Sequence, residues 1–140
     1  MTLAGGAAWV VTASLELVRL DPDTGESTSV INRALASFDL VEGDGYLWAA
    51  VERGLARIDL SDASVEVLPS ESIGHAVANV GFDGTNVYAL NQESLVSVFS
   101  VEPLALIRTV KLPARVHRFG WIDGVLGAIR SGEVWHVGAD

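Results

Sequence analysis

Short segments in which apolar and polar residues alternate run along the whole chain, and clusters of glycine, aspartate and serine separate them. Alternation with a period of two predicts β-strands, because successive side chains of a strand point to opposite faces of the sheet. No segment carries a capped apolar stripe of helical period, and only residues 34–37 are ambiguous. The pattern predicts fourteen strands, at 7–13, 15–20, 27–31, 37–42, 46–51, 55–60, 65–68, 77–82, 87–90, 95–100, 106–111, 116–122, 125–129 and 133–137.

Four glycines mark a repeat in this pattern. Gly6, Gly45, Gly84 and Gly124 are 39, 39 and 40 residues apart, and each lies in a turn that precedes a strand. A period near 40 residues is typical of a chain that repeats one supersecondary unit. We therefore expect a single repeat domain over residues 1–140. Its expected units are at about 1–34, 35–74, 75–114 and 115–140.

Tandem units of four antiparallel strands predict an all-β, propeller-like fold. The first unit lacks most of an opening strand and the fourth lacks a closing one, so the chain provides about three and a half blades. An open propeller exposes an apolar blade face and unpaired strand edges. The chain can close alone as a four-bladed ring with residues 1–4 as a rudimentary inner strand, join further copies, or be covered by a different chain. The incomplete end units favour completion by another chain.

Large aromatic residues recur at one position of the repeat. Trp9, Trp48 and Tyr88 occupy this position in the first three units, which is typical of side chains packed between blades. The fourth unit has Gly127 there, and we expect Trp135 on the neighbouring strand to fill the space. Trp121 has no counterpart in the other units, so we predict that it contacts a partner.

The segments Asp44-Gly45-Tyr46-Leu47-Trp48 and Arg57-Ile58-Asp59, together with residues 18–25, resemble blades of the virginiamycin B lyase-like and NHL-like propellers. The resemblance covers nearly the whole chain, but it concerns a blade scaffold that serves lyases, sensors, adhesins and assembly proteins alike. The lyase family uses a histidine and a glutamate beside a metal at one mouth of its ring. The resemblance therefore implies a binding role for His75 and His117, which precede the opening strands of the third and fourth units.

Composition narrows the classes of function. A net charge of −9 disfavours nucleic acid and anionic membrane surfaces as partners, since both repel an acidic protein. The absence of cysteine excludes disulfides and thiolate metal sites. No apolar run reaches the length of a membrane-spanning helix, and the first residues do not form a signal peptide. We expect a soluble protein in the cytoplasm or in a virion.

Charged residues supply two weaker candidates. The segment from Asp21 to Gly25 begins like a calcium loop, but Asn32 stands where that loop needs a bidentate glutamate, so we predict a turn without metal. Four of the nine basic residues lie between 108 and 118. Arg115 and Arg118 are predicted to contact an acidic surface of a neighbour, and a set of solvated arginines is the open alternative.

These observations predict a non-catalytic binding or assembly module without cofactor or metal, which binds a protein partner or further copies of itself. A virion component, such as a tail or capsid-surface protein, is a setting that fits. The predicted binding residues are Trp121, Arg115, Arg118, His117 and His75. The alternative is a lyase-like propeller enzyme with a divalent metal at the ring mouth, which needs His75 and His117 to cluster.

Overall fold

The computed structural model describes residues 1–32, 34–91, 93–112, 118–122, 125–130 and 133–137. Side chains are described up to residue 112, apart from those of Phe38 and Asp39. These residues form fifteen strands and one helical turn. The elements are β1 (Thr2–Ala4), β2 (Ala7–Val11), β3 (Leu17–Leu20), β4 (Ser27–Ile31), β5 (Leu35–Gly43), β6 (Tyr46–Val51), β7 (Gly54–Asp59), β8 (Val65–Pro69), α1 (Ser70–Ile73), β9 (Asn79–Phe82), β10 (Val87–Leu90), β11 (Leu95–Ser100), β12 (Ala105–Lys111), β13 (Arg118–Ile122), β14 (Val125–Arg130) and β15 (Glu133–Val137).

The strands form four antiparallel sheets in which spatial order follows chain order. Strands β1–β4, β5–β8 and β9–β12 form three four-stranded sheets, and β13–β15 form a three-stranded sheet within the described residues. The predicted fold class is confirmed: the molecule is all-β and propeller-like, with about three and a half blades. We number the sheets one to four in chain order.

Two details differ from the sequence prediction. The first sheet has an inner strand, β1, whose three residues pair with β2, so the first unit is more complete than the alternation suggested. The helical turn α1 was not predicted, because four residues are too few to show a helical period. Gly74 ends the turn with φ of 93° and donates its backbone N–H to the Ser70 carbonyl, and Ile73 is buried. The ambiguous residues near 35 begin strand β5.

Within the residues whose side chains are described, two apolar cores hold sheets one to three together. The first core joins sheets one and two, and the second joins sheets two and three. Trp9 is in the first core and Trp48 is in the second, and both are fully buried. Tyr88 alternates with the second-core residues Val87 and Ala89, so it lies on the opposite face of its sheet, where it is also buried. The predicted packing between sheets is confirmed for Trp9 and Trp48, and Tyr88 is buried as well.

We call the face of each sheet that carries its aromatic residue the front face and the opposite one the back face. The front face of sheet one packs on the back face of sheet two, and the front face of sheet two packs on the back face of sheet three. Near the inner strands the approach is close. A Cβ on Gly43 of β5 would lie 2.3 Å from the Phe82 ring of β9, so only glycine fits there without a shift.

None of the helices formed by the described part of the chain is long and apolar enough to span a membrane.

Candidate functional site

In sheets one to three, the aromatic residue of the front face donates a hydrogen bond to the end of the inner strand or to the residue just after it. Trp9 Nε1 donates to the Ala4 carbonyl at 3.0 Å, and Trp48 Nε1 donates to the Gly43 carbonyl at 3.2 Å. Tyr88 Oη donates to the Asp83 carboxylate at 2.7 Å. Each partner lies five residues earlier in the chain. The same bond therefore fixes the inner hairpin of three successive sheets, and these side chains have a structural role.

His75 lies after α1, in the segment that leads from sheet two to sheet three, and it is half-buried. Its Nδ1 is 2.7 Å from the Ala76 carbonyl, and its Nε2 is 2.6 Å from the Ser97 hydroxyl. A carbonyl only accepts, so Nδ1 carries a proton, and in the neutral ring Nε2 accepts from Ser97. The fully buried Ser97 hydroxyl is also 3.0 Å from the Thr109 hydroxyl. Nδ1 is therefore bonded within the connecting segment, and Nε2 fastens that segment to Ser97 of β11.

A cleft of about 440 Å³ lies beside His75. Its lining includes Asn91, Glu93 and Leu95 from the turn between β10 and β11. Asn91 Oδ1 accepts the backbone N–H groups of Glu93 and Leu95 at 2.9 Å. Among the described residues there is no group of three or more histidine, cysteine, aspartate or glutamate side chains placed to hold a metal ion. The turn that lines the cleft is therefore held in place by the side chain of Asn91.

The other predicted binding residues are not brought to this cleft by any described contact. Arg115 and His117 lie outside the described residues. Arg118 and Trp121 lie in β13, where they are paired in register with Ile129 and Leu126. The structure describes the backbone at these two positions. The binding role of these residues stays a prediction.

Turn aspartates account for part of the acidic character of the protein. Asp21 Oδ1 accepts backbone N–H groups from Asp23 at 2.8 Å and Thr24 at 3.2 Å, which confirms the predicted turn at the calcium-like segment. These bonds hold the Asp21 pKa below its usual value. Asp83 accepts from Thr85 at 2.8 Å and Asn86 at 2.6 Å in the same way. The carboxylates thus cap turns, as expected for this residue type.

A cluster of polar side chains joins the front face of sheet two to the turn between β11 and β12. Arg57 donates to the Val101 carbonyl at 2.9 Å and to Glu66 at 2.5 Å, and its guanidinium lies 4.5 Å from the centre of the Tyr46 ring. Tyr46 donates its hydroxyl to Glu102, and this hydrogen bond raises the Tyr46 pKa. The residues of this cluster are an inter-sheet contact that the sequence did not predict.

The back face of sheet one is the least covered of the three described back faces. Its apolar part consists of the cross-strand row Leu3, Ala8 and Leu20 and the row Val10 and Val18, on the opposite side of the sheet from Trp9. The exposed Ser27 and Ser29 continue these two rows on β4. Val10, Val18 and Leu20 are half-buried, and Leu3 is 71% exposed. We call the five apolar residues the first-sheet back face.

The equivalent positions on the second and third strands of the next two sheets are fully buried. In sheet two they are Leu47, Ile58, Ala49 and Ala56, and in sheet three Val87, Phe99, Ala89 and Ser97; all eight are 0% exposed. The equivalents of Leu3 on the inner strands are Glu42, which is exposed, and Phe82, which is half-buried. The first-sheet back face therefore has the composition of an inter-sheet contact without the corresponding burial. A sequence signal for it exists, since valines replace the small residues found at the equivalent positions of sheets two and three.

The arrangement of sheets is similar to that of known propeller proteins. The computationally designed Ika4 protein has a TM-score of 0.69 and 12% identity, covering 97% of this chain and 88% of its own. The computationally designed Ika8 protein has a TM-score of 0.68 and 13% identity, covering 97% of this chain and 44% of its own. A chain from the structure of S. cerevisiae Dbp5 bound to Nup159 and Gle1 has a TM-score of 0.59 and 12% identity, covering 97% of this chain and 41% of its own.

This chain thus spans less than half the length of two of these three proteins. No protein-family model and no curated protein matches the sequence. At identities of 12–13% the likeness concerns the fold, which is β-propeller-like.

Proposed function

We propose that this protein is a non-catalytic binding and assembly module whose first-sheet back face contacts another protein chain. The observation that carries the proposal is the difference in burial between this face and its two equivalents. Partly exposed Val10, Val18 and Leu20 form a continuous apolar surface with the exposed Leu3. A contiguous apolar patch of this kind is typical of a protein–protein contact, because water is released when it is covered.

Two further observations support a module that acts through contact. The mean hydropathy is +0.35 although the net charge is −9, so apolar residues are abundant, as expected when some of them contact a partner. One similar chain comes from a multi-protein complex of Dbp5, Nup159 and Gle1. The predicted virion setting is consistent with an assembly role and remains part of this proposal.

The alternative, a lyase-like propeller enzyme, needs a free histidine at the ring mouth. Both nitrogens of His75 are within hydrogen-bond distance of protein atoms, and its partner Ser97 is fully buried. A base or metal ligand needs one nitrogen that faces the substrate or the ion. The contacts of His75 therefore support an assembly role better than an enzyme. Binding of Mn²⁺ or Zn²⁺ that is measured by titration and is lost in His75→Ala would favour the enzyme instead.

Site-specific photocrosslinking tests the proposed module. A photoreactive residue at Val18 is expected to crosslink to a protein chain, of either the same or a different sequence, in the cells that produce the protein. The same residue at Val67, an exposed valine of β8 at the rim of sheet two, is the matched control and should crosslink much less. Absence of any protein crosslink at Val18 contradicts the proposed function.

A further inference from the structure

We infer that the partner of the first-sheet back face is the fourth sheet of a second copy of this chain, joined head to tail. The inference rests on the proposed function and names its partner. It depends on the sizes of the residues that meet where successive sheets pack. These residues are observed for the contacts among sheets one to three, and the register of the fourth sheet identifies the equivalent position there.

At the two described contacts between sheets, a large residue on the front face meets small residues on the back face. Trp9 shares its core with Ala49 and Ala56, which are paired across β6 and β7. Trp48 shares its core with Ala89, whose partner across β10 and β11 is Ser97. Close packing requires such complementary volumes, since interiors contain few voids. A front face with tryptophan thus matches a back face with alanine or serine.

The first-sheet back face has larger residues at these positions. Val10 is the equivalent of Ala49 and Ala89, and its cross-strand partner Val18 is the equivalent of Ala56 and Ser97. A front face with a tryptophan at the usual position would be overpacked against two valines. The matching partner is a front face on which the aromatic residue is replaced by a small one.

The fourth sheet provides that replacement. Gly127 is the third residue of β14, as Trp48 is the third residue of β6, and in the sequence an aspartate–glycine pair precedes each of these strands. In register, Gly127 is paired with Gly120 on β13 and with His136 on β15. In the described contacts a large front-face residue meets small back-face residues. Here a small front-face residue, Gly127, would meet two larger back-face residues, Val10 and Val18. Of the four sheets, the fourth alone has glycine at the aromatic position.

The first-sheet back face stays partly exposed within its own chain, so the matching fourth sheet is assigned to a second copy. The contact is heterologous, because two different surfaces meet, and such contacts give rings when the rotation closes. A similar fold occurs in a chain of about this length and in a chain of about twice this length, since the match covers 88% of Ika4 and 44% of Ika8. The copies each carry a charge of −9, which opposes their association and is screened by salt.

Analytical ultracentrifugation of the purified chain tests the inference. We expect a mass of at least twice that of one chain, with self-association that strengthens as salt is raised. Val18→Asp should weaken self-association at least about tenfold, because it places an unpaired charge in the contact. Val67→Asp, the matched control, should leave it unchanged. Circular dichroism and thermal unfolding confirm that both variants fold.

A compensation experiment distinguishes this contact from any other. Gly127→Trp should weaken self-association, and Val10→Ala with Val18→Ala in the same chain should restore it, because the pair then has the tryptophan-on-alanine arrangement of the other contacts. A chain that is monomeric at all concentrations, or oligomers that Val18→Asp leaves intact, would overturn the inference. If the monomer nevertheless crosslinks at Val18 to a different protein, the proposed function survives and this partner is wrong.

Discussion

Sheets two and three use the same position for the same structural purpose but with different chemistry. In sheet two, Trp48 donates to the backbone carbonyl of Gly43, and its cross-strand neighbour is Arg57. In sheet three, Tyr88 donates to the carboxylate of Asp83, and the equivalent neighbour is Val98. The comparison shows that the repeat retains a geometry rather than a residue. It also implies that the stability of the two hairpins responds differently to side-chain volume, to pH and to salt.

The largest effect is expected at Trp48. Trp48→Ala should lower the free energy of unfolding by about 3–5 kcal/mol, because it removes a fully buried indole from the core between sheets two and three. Trp48→Phe retains most of the apolar volume and loses the bond to Gly43, so it should cost distinctly less. Urea denaturation measures both. Equal costs would show that the hydrogen bond, and not the volume, dominates in sheet two.

In sheet three the hydrogen bond can be removed almost without a change of volume. Tyr88→Phe should cost about 1.5–3 kcal/mol at neutral pH, as is usual for a bond to a charged group. Tyr46→Phe is a matched control, because it removes a hydroxyl that donates to an exposed carboxylate, and it should cost less. If the two variants lose the same stability, burial at Tyr88 contributes nothing to the bond.

The pH dependence should follow Asp83. Burial raises the Asp83 pKa, but hydrogen bonds from Asn86, Tyr88 and Thr85 outweigh it, so the pKa lies below the usual 3.8. A lowered folded-state pKa gives stability that is present above the unfolded value and is lost as the pH falls through the folded value. We expect urea midpoints to fall between about pH 5 and pH 3, and Asp83→Asn to reduce that change. An unchanged pH dependence in Asp83→Asn would contradict the role of this carboxylate.

The smallest effect is expected at Arg57, whose equivalent in sheet three is Val98. Its ion pairs are with glutamates that are more than half exposed, so Arg57→Gln should cost at most about 1 kcal/mol, and less at high salt. A double-mutant cycle with Glu102→Gln measures the part that crosses between sheets. A coupling that salt does not change would indicate that the Val101 carbonyl and the Tyr46 ring, rather than Glu102, hold the guanidinium.

Most of the fold could be read from the sequence because each strand has a two-residue period and each turn has its own chemistry. The strands around Trp48 were predicted closely: β6, β10 and β11 have the predicted bounds. The strand β1 was underestimated because three residues show almost no alternation. The helical turn α1 was missed because tertiary burial of Ile73, rather than a helical pattern, stabilises it.

The candidate site was less predictable for a physical reason. The binding role predicted for His75 follows from the resemblance to the lyase family, whereas its contacts depend on Ser97 and, through it, Thr109, which are 22 and 34 residues away in sequence. The first-sheet back face was not singled out because isolated valines and leucines in strands resemble any core. Only a comparison of burial at equivalent positions of three sheets distinguishes it.

The close approach of Gly43 to Phe82 has a consequence for the curvature of the array. Both residues lie on inner strands, where successive sheets are nearest, and the missing Cβ lets a phenyl ring occupy that space. The side-chain volume at this point affects the angle between the two sheets, because a larger side chain would push the inner strands apart and bring the sheets closer to parallel. We therefore expect Gly43→Ala to change the angle between sheets two and three.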